Sequence, residues 1–467
     1  MTRILIVISD LHIGAGPLDD CDAELEGHLV AFLSDLASRN EAIELVINGD
    51  FLDFAQAPPW QGSELESTGE DGAPLCFTEE QSHAKFLAIE KAHKPIFEAL
   101  SLFLNAKPDN WLTILPGNHD ADLFWDSVHN RLTESIAGHQ SFRDRIRIHL
   151  EQVYRPHGYS KIWIEHGHQY DPCNDFKHDG EACWSQKCPP IFSDVTGVRR
   201  LYECVGTRFL IKFLNQLDAE YPFVDNVKPF SRFIRIFGVS SFTPGYGPLK
   251  ATVMMWALLQ YLAQTVTHQP SDLLGLDQPG EGHEKVLASI IHGMSDGEKK
   301  RFTEQLIEHG FPIDRPIGML IANRLQAEQL MKFLVNHLEL IQKFKEKDQS
   351  LLSLSGSSGT LTLAKGFSVD ETRELKQAAA RICTAETAQV VIMGHTHETV
   401  DQPECPRYIN AGSWTRYYRF VAQDTRPSWA ILRSNSFQLF PYQLKYAEIT
   451  AGQSPTTRLR TYQERVT

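Results

Sequence analysis

Five times along the chain, a short apolar run ends in a cluster of Asp, Asn, His and Gly. The runs are ILIVISDLH (4–12), IELVINGDFLD (43–53), WLTILPGNHD (111–120), KIWIEHGH (161–168) and QVVIMGHTH (389–397). Segments of this length that are apolar on both faces suit central strands covered by layers on either side. A helix-like segment, AELEGHLVAFLSDLASRN, separates the first two runs. A second, TEEQSHAKFLAIEKAHKPIFEALSLFL, separates the next two; in it Thr78 offers an N-cap with Gln81 three residues on. Its Phe86, Ile89, Ile96, Leu100 and Phe103 recur at helical spacing and would pack on a sheet. Strand–helix alternation makes the fold class α/β. Ligands of open α/β sheets bind beyond the carboxyl ends of the strands, where all five clusters fall.

At 467 residues the chain exceeds the usual size of one domain. The pattern changes between Cys173 and about residue 380, where helical stretches such as GVRRLYECVGTRFLIKFLNQL (197–217) and NRLQAEQLMKFLVNHLELIQKFKEK (323–347) replace the strand-plus-cluster unit. The expected organisation is a core over 1–172, a helical insertion over 173–380, a second core segment over 381–447 and a flexible tail over 448–467. The stretch SLLSLSGSSGTL (350–361) is expected to be a loop.

The net charge of −14 argues against a general nucleic-acid binder, because phosphate contact wants a basic face. The longest apolar stretch, ATVMMWALLQYLAQTV (251–266), is too short and too polar to span a membrane. The opening MTRILIVISD has no basic leader or cleavage site, and eight cysteines show no regular framework. Reduced thiols and a cytoplasmic location are therefore expected.

Together the clusters supply Asp10, His12, Asp50, Asn118, His166, His395 and His397. One metal ion cannot use all seven. Two ions sharing one carboxylate can, and a pair roughly 3.5–4 Å apart suits phosphoester cleavage by holding the attacking and phosphoryl oxygens together. A mixed oxygen and imidazole set favours Mn, then Fe, Zn or Co, over Mg or Ca.

In order, D-x-H, G-D-x-x-D, G-N-H-D, H and G-H-x-H resemble the signature of the calcineurin-like metallophosphoesterases. Here they stand as Asp10–His12, Gly49–Asp53, Gly117–Asp120, His166 and Gly394–His397. The resemblance covers about 1–172 and 385–447 and implies a four-layer αββα sandwich, to which the large helical insertion would be added as a cap. It also implies a metal-dependent phosphoric ester hydrolase that cleaves a phosphate ester or pyrophosphate through a metal-bridging hydroxide. Asp10, His12 and His397 would hold the first of two divalent ions and Asn118, His166 and His395 the second, with Asp50 bridging. His119 would protonate the leaving group. Asp53 and Asp120 would orient ligand imidazoles or His119, and His168 would stand behind the second ion. Some relatives have lost ligands and serve as interaction scaffolds; this chain retains all seven ligands and His119.

Substrate reading falls to the insertion. Arg199 and Arg200 begin a basic stretch that could clamp phosphate oxygens bidentately. Aromatic and aliphatic residues interleave over 229–262, and an apolar groove beside basic groups would suit a lipid-linked nucleotide. That pattern is similar in kind to the helical lid of the UDP-diacylglucosamine pyrophosphatase branch, although this insertion is much longer. A phosphorylated small molecule or a nucleotide is equally compatible, and a nuclease acting on DNA or RNA diesters is the alternative that the acidity disfavours. Cys173, His178, Cys183 and Cys188 match no familiar zinc spacing, and free thiols are expected there.

Overall fold

The computed structural model describes residues 3–58, 78–138, 142–171, 174–178, 181–193, 197–202, 296–308, 310–323, 371–403, 407–419, 440–450 and 456–465. It also describes isolated positions within 204–228 and 326–333. The chain forms two compact units: residues 1–66, 75–228 and 370–467, and residues 67–74 with 229–369.

The first unit is built on two sheets. β1 (Ile4–Ile8), β2 (Ile43–Asn48), β3 (Trp111–Leu115) and β4 (Ile146–Ile148) run parallel side by side. The second sheet contains β5 (Ile162–Ile164) and β11 (Val390–Met393), parallel to each other and to β13 (Arg407–Asn410). β12 (Val400–Gln402) closes its far edge antiparallel to β13. Side chains alternate along these strands. Leu5, Val7 and Val46 of the first sheet meet Ile162, Ile164, Val390, Ile392 and Ile409 of the second in one buried cluster between them.

The outer faces are covered by helices. α1 (Ala23–Ser38) is capped by Asp22, whose carboxylate accepts from the backbone N–H of Glu24 and Leu25. α2 (Glu79–Ala92) opens with the reciprocal Thr78–Gln81 capping box expected from the sequence. α3 (Lys94–Ala106) packs beside α1, and α4 (Asp126–Ala137) packs on α2 and α3. The outward-facing Ile6, Ile8, Leu45, Ile47, Leu112 and Ile114 are consequently buried. On the other sheet, Leu375, Ala378, Ala379 and Ile382 pack on Val391, Met393 and Tyr408 from a helix over Glu371–Glu386. Helix, sheet, sheet, helix is the four-layer order.

Three expectations about organisation differ from the structure. The second core segment begins by residue 371 and not 381, because the helix over Glu371–Glu386 supplies the outer layer of the second sheet. Residues 174–228 belong to the first unit; helix is described at 206, 207, 210, 211 and 215, whereas residues 177–201 form short antiparallel pairs. These are β6 (Lys177–His178) with β7 (Glu181–Ala182), and β8 (Ile191–Ser193) with β9 (Arg199–Leu201). Prolines 189 and 190 and Gly197 punctuate that stretch, and they break helices. β10 (Val227–Lys228) pairs with β14 (Tyr418–Arg419).

The expected tail is the third correction. β15 (Tyr442–Thr450) adds to β1 antiparallel, and β16 (Thr456–Arg465) pairs with β15 along its length. Polar residues dominate β16, so it lacks an apolar signal; it is an edge strand, and an edge can stay polar. In the second unit the described residues include α5 (Asp296–Glu308) and α6 (Ile317–Ile321), with Phe302, Leu306, Phe311, Ile317 and Leu320 buried. In chain order the helix over Glu371–Glu386 is α7. The stretches at 251–266 and 350–361 lie outside the described residues.

Candidate metal centre

All five clusters sit just beyond strand ends. The loops after β1 and β2 are laced together by Asp10 N–H to Gly49 O (3.1 Å) and by Leu11 and His12 N–H to Asp50 O (2.8 and 2.9 Å). The second sheet joins them through His395 N–H to Asp10 Oδ1 (2.9 Å) and Asn48 Nδ2 to Glu165 O (2.9 Å). Asn410, at the end of β13, donates from Nδ2 to Gly394 O (2.6 Å) and holds the loop of His395 and His397.

The backbone at these positions is unusual. Asp10, His12, Asp50, His395 and His397 all have positive φ, between 46° and 69°. Non-glycine residues avoid that region, and strain of this kind persists where surrounding structure enforces it, typically at functional sites. Gly49 (φ 82°) and Gly117 give the necessary room. A Cβ on Gly49 would lie 2.2 Å from His166 Nδ1, and one on Gly117 would lie 2.2 Å from Asp50 Oδ1.

Among the described residues the geometry gathers three groups whose candidate ligand atoms lie within 4.8 Å of one another: Asp10, His12, Asp50 and His397; Asp50, His166 and His395; and His12, Asp53 and His119. Asp50 belongs to the first two. Its Oδ2 lies 3.0 Å from His166 Nε2 and 3.7 Å from His12 Nε2. Asn118 Oδ1 stands 3.1 Å from His395 Nδ1 and extends the second group. His12 and His397 turn their Nε2 atoms toward each other at 2.9 Å.

Neighbouring acceptors determine which imidazole nitrogen faces the centre. Asn48 O takes the proton of His166 Nδ1 (2.9 Å), leaving Nε2 for a cation. Asp53 Oδ2 faces His12 Nδ1 (3.1 Å) and leaves Nε2 in the same way. For His395 the polarity is reversed: Asp171 Oδ2 accepts from Nε2 (3.1 Å), so Nδ1 faces inward beside Asn118. Such outer partners fix tautomer and ring orientation in metal sites.

Protonation follows from the same crowding. Burial works to raise the Asp50 carboxyl, but His166 and His119 hold it well below the ordinary carboxylate range. Burial opposes a charge on His166, yet Asp50 and Asp10 lift it to about 9. Buried Asp10 is raised by desolvation. Asp10 Oδ2 is buried with no hydrogen-bond partner, and the buried His166 Nε2 faces the Asp50 carboxylate at 3.0 Å. A buried, unpartnered carboxylate oxygen among imidazole nitrogens and other carboxylate oxygens fits divalent cations.

The remaining expected residues fall around this centre. His119 donates its backbone N–H to Asp50 Oδ1 (2.9 Å), and its Nδ1 lies 2.8 Å from Asp53 Oδ2. Burial opposes its charge, but Asp53 and Asp50 raise it to about 9. Its side chain keeps 20% exposure, so the ring can be reached from outside. Asp120 braces backbone instead of an imidazole: it accepts from Phe51 N–H (2.8 Å), Leu52 N–H (3.3 Å) and Gly117 N–H (2.5 Å). His168 is buried with its ring 5.6 Å from that of His166 and 4.3 Å from Trp184, and burial pushes it well below its ordinary value. Arg199 lies over Trp125 at 5.0 Å, and Arg200 is half-buried on the same strand. Cys183 and Cys188 bring their sulfurs to 3.1 Å, while Cys173 and the His178 side chain lie outside the described residues.

Sequence reasoning missed Asn48, Asn410 and Asn174 as supports. The first two end apolar runs, IELVIN and YIN, which is a signal of the same kind as the five clusters. Asn174 had no such mark.

The model of the family described as calcineurin-like phosphoesterase matches residues 4–216. Residues 4–216 form a calcineurin-like metallophosphoesterase domain. The match contains the first four motifs, and the fold supplies the fifth by bringing Gly394–His397 to the ends of β1 and β2. No curated protein and no solved structure matches the chain. As a metallophosphoesterase it is a metal-dependent phosphoester hydrolase with a phosphorylated substrate and a cluster of Asp and His side chains able to bind divalent metal. Among the described residues, no helix is long and apolar enough to cross a membrane.

Proposed function

We propose that this phosphoesterase works with two divalent cations of the Mn class. Asp10, His12 and His397 would hold one, Asn118, His166 and His395 the other, and Asp50 would bridge them. The observation that carries this reading is the membership of Asp50 in both ligand groups, with its Oδ2 between His166 Nε2 and His12 Nε2. Such a pair supplies charge neutralisation at the phosphoryl oxygens and an activated water at neutral pH.

The chain's own residues provide the rest. His119 is the general acid: Asp53 holds its Nδ1, so the Nε2 proton is available to the leaving oxygen. An imidazolium favoured by Asp53 and Asp50 keeps that proton near neutral pH. Asp120 keeps the Asp50 turn in place through backbone N–H groups. His168 would secure the His166 ring from behind by packing, and Arg199 and Arg200 would meet substrate phosphate.

The helical insertion would select the substrate, a phosphorylated small molecule, nucleotide or lipid-linked phosphate, in a cytoplasmic setting. The acidic balance of the chain supports these over nucleic acid. The test is a panel with added Mn covering monoesters, diesters, cyclic nucleotides, UDP-lipid pyrophosphates and single-stranded DNA. Hydrolysis of one class, abolished by chelation and restored by Mn, is the expected result. No hydrolysis of any class, followed as loss of substrate, would contradict the reading and point to a scaffold.

A further inference from the structure

We propose that Asp171 and Asn174 are positioning residues that set the polarity of two ligands, His395 and Asn118, from outside the centre. This rests on the dinuclear reading above. The pair lies on the turn after β5, where Asp171 N–H bonds to His168 O (3.0 Å) and Asn174 N–H bonds to Asp171 O (2.9 Å).

An asparagine and a neutral imidazole share a weakness as ligands. The Asn118 carboxamide can rotate by half a turn and present its NH2 to a cation, and His395 can carry its proton on either nitrogen. Something must remove both ambiguities. Asp171 is an acceptor only, and it is buried. Its Oδ2 accepts from Asn174 Nδ2 (2.6 Å) and from His395 Nε2 (3.1 Å). The second contact places the His395 proton on Nε2 and frees the Nδ1 lone pair. The first fixes Asn174 with its amide nitrogen toward the carboxylate and its Oδ1 away from it.

Asn174 Oδ1 then receives Asn118 Nδ2 at 3.4 Å. That contact leaves Asn118 Oδ1, the atom beside His395 Nδ1, facing the centre. One carboxylate thus orders donors and acceptors in three other side chains, and two ligands of the second cation, Asn118 and His395, inherit their orientation from it. Cys204 Sγ adds a weaker approach to Asn174 Oδ1 at 3.6 Å.

A separate feature supports the assignment. Gly206 leaves the space that the Asn174 amide fills: a Cβ there would lie 2.0 Å from Asn174 Oδ1 and 2.9 Å from its Cγ. Any side chain at 206 would push the amide from its place. Gly206→Ala therefore disturbs the relay without removing a polar group.

The test measures binding of Mn2+ to metal-freed full-length protein by calorimetry and by the electron paramagnetic resonance of the bound ion. The parent protein is expected to bind two ions. Asp171→Ala, Asn174→Ala and Gly206→Ala should each weaken one ion by about 10–100-fold and leave the other unchanged. Asp171→Asn keeps an acceptor in that place and should recover part of the loss. A merely structural role would lower the melting temperature without separating the two ions. Unchanged affinity for both ions in Asn174→Ala and Gly206→Ala overturns the proposal even if Asp171→Ala fails to fold. A parent protein that binds fewer than two ions overturns the dinuclear reading and this proposal with it.

Discussion

Asp53 Oδ2 stands 2.8 Å from His119 Nδ1 and 3.1 Å from His12 Nδ1, so a single carboxylate oxygen serves both rings. His119 and His12 meet edge to face, with ring centres 4.5 Å apart. In the proposed mechanism His12 would hold a cation and His119 would deliver a proton, and Asp53 would orient both rings.

His119→Ala should leave metal content near that of the parent protein and reduce turnover by about 100- to 10,000-fold, the usual contribution of general acid catalysis. Asp53→Asn should do more, because it also loosens His12. Burial acts against the His119 charge, and the Asp53 carboxylate is the largest influence raising it. Removing that charge lowers the imidazolium pKa, so the alkaline limb of the rate profile should move to lower pH. An Asp53→Asn profile that overlays the parent would detach Asp53 from His119.

Gly117→Ala tests how closely backbone approaches the centre. Its Cβ would lie 2.2 Å from Asp50 Oδ1 and 2.6 Å from Asp50 N, so Asp50 must shift. Circular dichroism should remain close to that of the parent while bound metal falls, as measured by plasma emission. Full metal content in a folded Gly117→Ala protein would contradict the observed packing.

His93 carries a pH-dependent part of the stability. It is buried at the junction of α2 and α3, with Nε2 2.7 Å from Asp19 Oδ2 and Nδ1 2.8 Å from Glu26 Oε2. Burial opposes its charge, but the two carboxylates raise its pKa above the ordinary value of 6.5. The folded protein therefore holds the proton more tightly than the unfolded chain. The stabilisation is fully present below about pH 6.5 and is lost as pH rises through the raised folded value. His93→Gln should cost about 1.5–3 kcal/mol in urea titrations at pH 5.5, the scale of hydrogen bonds to charged groups, and less at pH 9. An equal cost at both values would sink the assignment.

Truncation after residue 455 removes β16. Tyr462 stacks on Trp414 at 6.0 Å and packs on Phe32 at 5.0 Å, and β15 would be left as an open edge. The truncated protein should melt lower and self-associate in light scattering, as exposed strand edges do. A truncated protein that stayed monomeric at the parent melting temperature would return this segment to the status of a tail.

Much of the fold and centre was legible because the informative residues announce themselves. β1, β2, β3, β5 and β11 are buried runs of Ile, Val and Leu, and each ends in residues that have no place in a core unless they bind something. β16 was illegible because an edge strand needs little apolar sequence, and β6 to β9 because two- and three-residue strands carry no periodicity. The positive φ of Asp10, His12, Asp50, His395 and His397 could not be read either, since tertiary hydrogen bonds impose it. Asp171 and Asn174 lie in a turn whose composition is ordinary, and only the folded neighbours reveal what they hold.

Metal stoichiometry of Asp50→Asn tests the central claim most directly. Purified with excess Mn and desalted, the parent should retain two ions per chain, whereas Asp50→Asn should lose both, because both of the groups assigned to the two ions contain that carboxylate. A folded Asp50→Asn protein that still carries two ions would contradict the shared bridge.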